Sequence, residues 1–352
     1  MIDNSWVPLV DYRRNGVPEV TVHGAVAWFK GKKLYHSYGG NVLCYGRSMM
    51  KPVQIKVIAK ELEPYLGWAS RAVSIASHNA EPIHLEAIKE ILKPSEYGLL
   101  QTPLSLPLQQ FGKQMRRPRR WYHTCSGKHA AILRACAINH WPRIGYTLPQ
   151  HPFHQVYMEK VKEILGQDLH SNILAKDGCG LPTIAMTVNE LAALFADLAV
   201  RKDEDWIWEA MTKNPDLIGG FNRLDSTILK SCGGQVIAKE GADGLLGLSI
   251  LHPDYPEGLG VVIKTAHGWD PRATWYVARW VLGVLGFELR NPYPLERQKA
   301  FIVEEIIPPS LRAAMKDVKA WDEWDPDQDR WNFNPEAYVG DWQDGDPSRF
   351  PS

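Results

Sequence analysis

Apolar and polar positions along the chain change period three times. Val20 to Phe29 and Lys33 to Tyr38 alternate and are rich in β-branched and aromatic residues, which predicts a strand pair turned at Lys30-Gly31-Lys32. From residue 54 the period lengthens. Ile55, Val57, Ile58 and Leu62 recur at helical spacing and predict a helix over Gln54–Leu62 with those side chains buried. Pro82 opens another helix over His84–Leu92, and Cys125 opens a third whose buried stripe includes Ile132, Leu133 and Cys136. The helical pattern continues over Phe153–Leu165, over Asn189–Val200 behind the capping box Thr187-Val188-Asn189-Glu190, and over Asp203–Thr212. At residue 234 the period returns to two. Gln235–Lys239, Leu245–Leu251 and Gly258–Thr265, punctuated by Asp243-Gly244 and Pro253-Asp254-Tyr255-Pro256, predict three antiparallel strands, followed by an apolar helix over Ala273–Phe287.

Strands at both ends with helices between them predict an α/β fold of the α+β kind: one mainly antiparallel sheet built from N- and C-terminal strands and flanked by helices. Residues 1–300 form a single domain in this reading, with a helical lobe over about 54–230 inserted between sheet strands. Residues 301–352 follow as a helix over Leu311–Ala320 and an acidic tail carrying Trp321, Trp324, Trp331 and Trp342. Asp and Pro content makes that tail irregular, while its tryptophans argue against full disorder, so it is expected to drape over the body.

Composition narrows the function classes. The chain has 352 residues, 45% of them hydrophobic, enough for a large core. Its 40 basic and 40 acidic side chains cancel, so no global field favours nucleic acid. The run Arg116-Arg117-Pro118-Arg119-Arg120 reads as a solvated loop. Met1 to Trp6 lacks a basic region followed by an apolar stretch, so a cytoplasmic protein is expected. Ala273–Phe287 is too short to span a bilayer and carries Arg279, so no membrane partner is expected. Cys44, Cys125, Cys136, Cys179 and Cys232 are odd in number and irregular in spacing, which makes them free thiols or metal ligands rather than a disulfide framework.

The candidate chemistry starts at Gly46-Arg47-Ser48-Met49-Met50-Lys51-Pro52. A Ser and a Lys three residues apart share one face of a helical turn, where the amine can act as base for the hydroxyl. To be neutral, the amine has to be buried or crowded by a cation, for which Arg47 is a candidate. Pro52 disfavours α conformation at Lys51, but a 3₁₀ turn still aligns positions three apart. An ordinary helix start fits the same residues. Further motifs are Ser77-His78-Asn79-Ala80-Glu81, Cys125-Ser126-Gly127-Lys128-His129, Asp177-Gly178-Cys179-Gly180-Leu181-Pro182 and Lys239-Glu240-Gly241-Ala242-Asp243-Gly244. Taken singly, Ser77 reads as a helix N-cap before Glu81-Pro82, Lys239 as a solvated strand end, His129 as a core or capping histidine, and Cys125 and Cys179 as buried thiols.

Taken in order, these motifs resemble the rhizobial-type L-asparaginases, the asparaginase II family, also called class 3, from the first strand pair to about residue 290. The resemblance implies a fold similar to serine β-lactamases and serine-dependent glutaminases. Ser77-His78-Asn79 and Lys239-Glu240-Gly241 then stand where the lactamases carry Ser-Asp-Asn and Lys-Thr-Gly. It implies two catalytic pairs, Ser48 with Lys51 and Ser77 with Lys239, and acyl transfer from L-asparagine, with Ser48 inferred to be the nucleophile and backbone N–H groups holding the oxyanion. It implies Zn2+ held by Cys125, Lys128 and Cys179. Asp177 matches the family's essential acidic residue and would take the substrate ammonium, Arg47 the carboxylate, and His129 a further hydrogen bond. A homodimer is also implied.

The segment Gly219 to Thr227 resembles a family stretch without a role assigned to it. His267 departs from the pattern, standing where the family usually has Asp before Gly268, and the Trp-rich tail departs as well. A β-lactamase-like hydrolase or esterase, a glutaminase and a non-catalytic amino-acid or zinc sensor are the competing readings.

Overall fold

The structure, a computed structural model, describes residues 2–104, 119–166, 174–268, 270–293 and 299–313. Six strands run in the order β10-β1-β2-β9-β8-β7, where β1 is Val7–Arg14, β2 Val17–Lys30, β7 Val236–Gly241, β8 Leu245–His252, β9 Tyr255–Thr265 and β10 Lys299–Ile302. Each neighbouring pair is antiparallel. β3, Lys33–Tyr38, pairs with the second half of β2 beyond the end of β1. A smaller sheet joins β4, Leu43–Tyr45, to the hairpin of β5, Leu174–Lys176, and β6, Pro182–Thr187. The expected sheet of N- and C-terminal strands is therefore present.

The longer helices, together with the short one that carries Lys51, are α1 (Lys51–Lys56), α2 (Trp68–Ile75), α3 (Pro82–Ile91), α4 (Ser126–Ile138), α5 (Pro152–Leu165), α6 (Val188–Val200), α7 (Leu224–Ser231) and α8 (Pro271–Val284). The central strands are covered on both faces. Ala25 and Ala27 of β2 join one core with α6 and the helical lobe, while Val26 and Trp28 join a second core with α8. Alternation thus separates two cores rather than core from solvent. Trp28 satisfies its buried indole N–H at the carbonyl of Ile306, 3.1 Å away.

Close approach of α6 to the sheet requires small residues. A Cβ on Gly260 would lie 2.2 Å from both the Ala192 carbonyl oxygen and the Ala196 nitrogen, and one on Gly247 would lie 2.2 Å from the Phe195 ring. The capping box forms as expected, with Glu190 accepting from the Thr187 N–H at 2.7 Å and Thr187 Oγ1 accepting from the Glu190 N–H at 3.3 Å.

Several elements differ from the sequence reading. The helix expected over 54–62 begins at Lys51 and breaks in two, Lys51–Lys56 and Ala59–Leu62, because Ile58 leaves helical geometry at φ −124° and ψ 9°. The helix expected from Asp203 begins at Ile207; Asp205 instead accepts from the Ile207 N–H at 2.8 Å and pairs with Lys56 at 2.6 Å. β1 and β10 were not predicted, nor were the three strands of the small sheet. The Trp-rich tail and Arg116-Arg117-Pro118 lie outside the described residues. No described helix is long and apolar enough to cross a membrane.

Gly260→Ala should destabilise the protein by about 1–3 kcal/mol, as overpacking of a filled core does. Urea unfolding of the parent and the variant measures this, and equal midpoints would contradict the close contact between α6 and β9.

Candidate active site

The site is assembled where the small sheet meets the helical lobe. After β4 the chain enters a 3₁₀ turn, Arg47–Met50, that runs directly into α1. Lys51 itself is α-helical, φ −56° and ψ −40°, although it precedes Pro52, because Pro52 falls in the first turn of α1, where its missing N–H costs nothing. Arg47 holds a left-handed backbone, φ 48°, a conformation that costs a side-chain-bearing residue on the order of 1–3 kcal/mol. Two anchors fix it there. Its N–H meets Thr183 Oγ1 at 3.3 Å, and its guanidinium pairs with both Asp177 and Asp243.

Lys51 is fully buried. Its amine donates to the Ala76 carbonyl and to Ser77 Oγ, the latter at 3.0 Å. Burial pushes the amine down to about 8; Cys125 works against that shift, and the cations Lys128 and Lys239 add to it. Ser48 is half-buried, and its Oγ lies 3.6 Å from Cys125 Sγ.

Ser77 follows the end of α2 and is held by its backbone. Its N–H donates to the Ile218 carbonyl at 2.8 Å, and its own carbonyl accepts from Arg223 Nη1 at 2.7 Å. The N-cap of α3 is Glu81, so Ser77 does not cap that helix. Lys239 is likewise no solvated strand end. It is fully buried and forms an ion pair with the equally buried Asp225 at 2.7 Å.

Lys51 reaches Ser77, while Lys239 is held by a carboxylate that sequence reasoning missed. Asp225 and Arg223 lie in the Gly219–Thr227 stretch, and Glu240, which binds Arg223 at 3.2 Å, adjoins Lys239. Those two motifs carried the signal, but spacing alone could not show which acid meets which base.

Cys125 is the N-cap residue of α4, Lys128 sits in its first turn, and Cys179 lies in the turn of the β5–β6 hairpin. All three are buried. The two thiols are hydrogen-bonded, Lys128 is bonded to Cys179, and the Lys128 amine also donates to Gln54 Oε1 at 3.1 Å. The bond from Cys179, with help from Lys51, His123 and Lys128, holds Cys125 well below the usual thiol range, and the same bond pushes Cys179 up. Burial works against a charge on Lys128, but Cys179, Cys125 and Asp177 outweigh it and hold its pKa above the ordinary value. Among the described residues, no group of three or more His, Cys, Asp and Glu side chains is placed to hold a metal. This set contains two thiols and an amine, and its three donors converge.

Asp177 and Arg47, expected to grip opposite ends of a substrate, are paired with each other. Asp177 also accepts from the Gly178 N–H at 2.7 Å and from Cys179 Sγ at 3.7 Å. His129 is fully buried, with Nδ1 2.7 Å from Tyr146 Oη. Tyr146 Oη also accepts from the Gln101 N–H at 3.0 Å, which fixes the ring pair, and the other imidazole nitrogen of His129 is Nε2. That Nε2 has no hydrogen-bond partner among the described residues.

A model of the L-asparaginase II family matches residues 10–306, and the chain belongs to that family. It is thus an amide hydrolase by family. No curated protein matches it. Among solved structures it is similar to a probable glutaminase from Bacillus subtilis complexed with 6-diazo-5-oxo-L-norleucine, with 11% identity and a TM-score of 0.35 over 75% of this chain and 85% of that one. A Bacillus glutaminase in the presence of 4.3 M NaCl is similar at 11% identity and a TM-score of 0.31, over 74% of this chain and 91% of that one.

A base must be unprotonated to act, so kcat/KM for amide hydrolysis should rise with pH through about 8, the value to which burial brings Lys51. A pH–rate profile flat between 6 and 10 would remove Lys51 from the chemistry.

Proposed function

We propose that the protein hydrolyses L-asparagine to L-aspartate and ammonia through a serine activated by Lys51. The observation that carries this reading is the buried Lys51 amine, pushed down to about 8 and 3.0 Å from a serine hydroxyl. Such an amine is within proton-transfer reach and is a base near neutral pH. Membership of the L-asparaginase II family supports the substrate.

Ser48 acts as the nucleophile. Its Oγ bonds to the side-chain amide carbon as its proton passes to Lys51. The C–N bond then breaks, and the proton travels through Ser77 to the departing nitrogen, which leaves as ammonia. Water hydrolyses the resulting β-aspartyl ester and regenerates Ser48. The Lys51–Ser77 hydrogen bond favours a second reading in which Ser77 is the nucleophile and Ser48 a supporting hydroxyl.

Asp177 takes the substrate ammonium and Arg47 its carboxylate bidentately, with His129 Nε2 as a further hydrogen-bond partner. One methylene changes binding by only about 1–3 kcal/mol, so preference for asparagine over glutamine rests on the depth of the site.

The donor chemistry fits a zinc ion. Cys125, Lys128 and Cys179 would hold it, since their donors already meet in a buried cluster with one thiol biased toward thiolate. When bound, Zn2+ supplies a Lewis acid that orients a polar substrate. The ion has to displace the Lys128 proton, so its affinity falls on acidification. A homodimer is the assembly proposed with this reading.

Ammonia release from L-asparagine and L-glutamine, measured for the parent, Ser48→Ala and Ser77→Ala, tests the proposal. Asparagine turnover should fall about 10³-fold or more in Ser48→Ala, with no ester trapped on the protein. Loss of the trapped ester in Ser77→Ala alone would transfer the nucleophile to Ser77. A folded, zinc-loaded parent that releases no ammonia would overturn the reading in favour of an esterase or a sensor.

Lys128→Met should bind zinc at least about 10-fold more weakly than the parent, and should lose the rise in melting temperature that the metal gives. Equal zinc affinity in both proteins would exclude Lys128 as a ligand.

A further inference from the structure

Two lysines are buried within electrostatic reach of one another, yet their surroundings differ. Lys51 hydrogen-bonds only to neutral groups, the Ala76 carbonyl and Ser77 Oγ, and no carboxylate among the described residues touches it; the Cys125 sulfur acts on it through space. Lys239 has a carboxylate, Asp225 Oδ2, at 2.7 Å, with both side chains fully removed from solvent, and it also donates to the Glu240 carbonyl at 3.2 Å. Asp225 is itself fixed from several sides. Its Oδ1 accepts from the Ser226 N–H at 3.0 Å, and its own N–H donates to Glu240 Oε2 at 3.3 Å. A Cβ on Gly219 would lie 2.3 Å from Asp225 Oδ1, so only a glycine leaves the carboxylate its place.

We infer that Asp225 is a positioning residue: its carboxylate clamps Lys239 as a fixed ammonium, which leaves Lys51 as the one lysine that exchanges protons with the serines. This rests on the amide-hydrolysis reading above and divides labour that the two expected Ser–Lys pairs would have shared. A buried amine with a carboxylate at hydrogen-bond distance keeps its proton, whereas one with only a carbonyl and a hydroxyl gives it up more readily. The direction at Asp225 agrees. Burial alone would raise its pKa, but Lys239 and Arg223 reverse this and bring it to about 2. The charged groups that act on Lys239 or its partners are Asp225, Glu240, Arg223 and Lys51, and Tyr293 interacts with the Asp225–Arg223–Glu240 cluster.

The clamp also reaches Ser77. Arg223 Nε binds Glu240 at 3.2 Å while its Nη1 donates to the Ser77 carbonyl and to Asn79 Oδ1, so the same cluster that holds Lys239 fixes the backbone of the serine that Lys51 touches.

The test is the pH dependence of ammonia release from L-asparagine by the parent, Asp225→Asn and Asp225→Glu. Asp225→Asn removes the buried ion pair that holds Lys239, so the basic limb of kcat/KM should move to lower pH by about one unit or more. KM should stay within about threefold of the parent while kcat falls, and Asp225→Glu should return the limb toward its parental position. A merely structural role would lower the amplitude and leave both limbs in place, and that result would overturn the inference. If Asp225→Asn does not fold, Lys239→Arg, which keeps the ion pair, decides. A fixed cation should retain activity within about 100-fold of the parent, and a loss as deep as that of Lys51→Met, about 10³-fold or more, would show that Lys239 transfers protons itself. A parent that does not hydrolyse asparagine sinks the functional reading before any variant is compared, so the two failures are distinguishable.

Discussion

Burial of one primary amine constrains everything around it. Lys51 has no solvent to stabilise a positive charge, and it sits near two further lysines, so the surrounding elements must supply compensation. They do so unequally. Lys128 is balanced by two sulfurs and Asp177, Lys239 by Asp225, and Lys51 by two hydrogen-bonded dipoles and the Cys125 sulfur, which do not offset its burial. A proton shared among three buried amines thus has two places where it is welcome and one where it is not. The proposed role of Lys51 as base draws on that asymmetry.

The two-faced sheet makes the asymmetry durable. β7 delivers Lys239, the turn before α1 delivers Ser48 and Lys51, and α4 delivers Cys125 and Lys128. Because β2, β8 and β9 are packed on both sides, these elements are positioned by well-filled cores and cannot relax by small slides. Gly127 illustrates the tolerance: a Cβ there would lie 2.1 Å from the Val73 carbonyl oxygen, so α4 crosses α2 in direct backbone contact and the Cys125–Lys128 segment has little freedom to move.

Much of this was legible in the sequence. The strand pair at Lys30-Gly31-Lys32, the capping box at Thr187 and the three C-terminal strands are local patterns, and local physics decides them. The bias that Pro52 puts on Lys51 was overridden, since Lys51 is α-helical. β1 escaped because its burial does not alternate cleanly, and β10 because a four-residue strand acquires meaning only by pairing with a segment nearly 300 residues away. At the site the residue types could be read but their partners could not. Ser77 and Lys239 were singled out as a catalytic pair and both are buried, yet what each of them meets depends on Asp225 and Arg223, which enter from α7 and the loop before it. Sequence order carries no information on that crossing of elements.

The ion pair between Arg47 and Asp177 has a consequence for selectivity. A free amino acid is a zwitterion, and the Arg47–Asp177 pair is a zwitterion's complement folded upon itself. An entering molecule with both an ammonium and a carboxylate can exchange one ion pair for two, so each protein charge trades one partner for another. Arg47 keeps Asp243 when the pair opens, so under the proposed function the group left without a counterpart by a lone carboxylate is Asp177, and the resting contact would act as a lock that favours a ligand bringing its own ammonium.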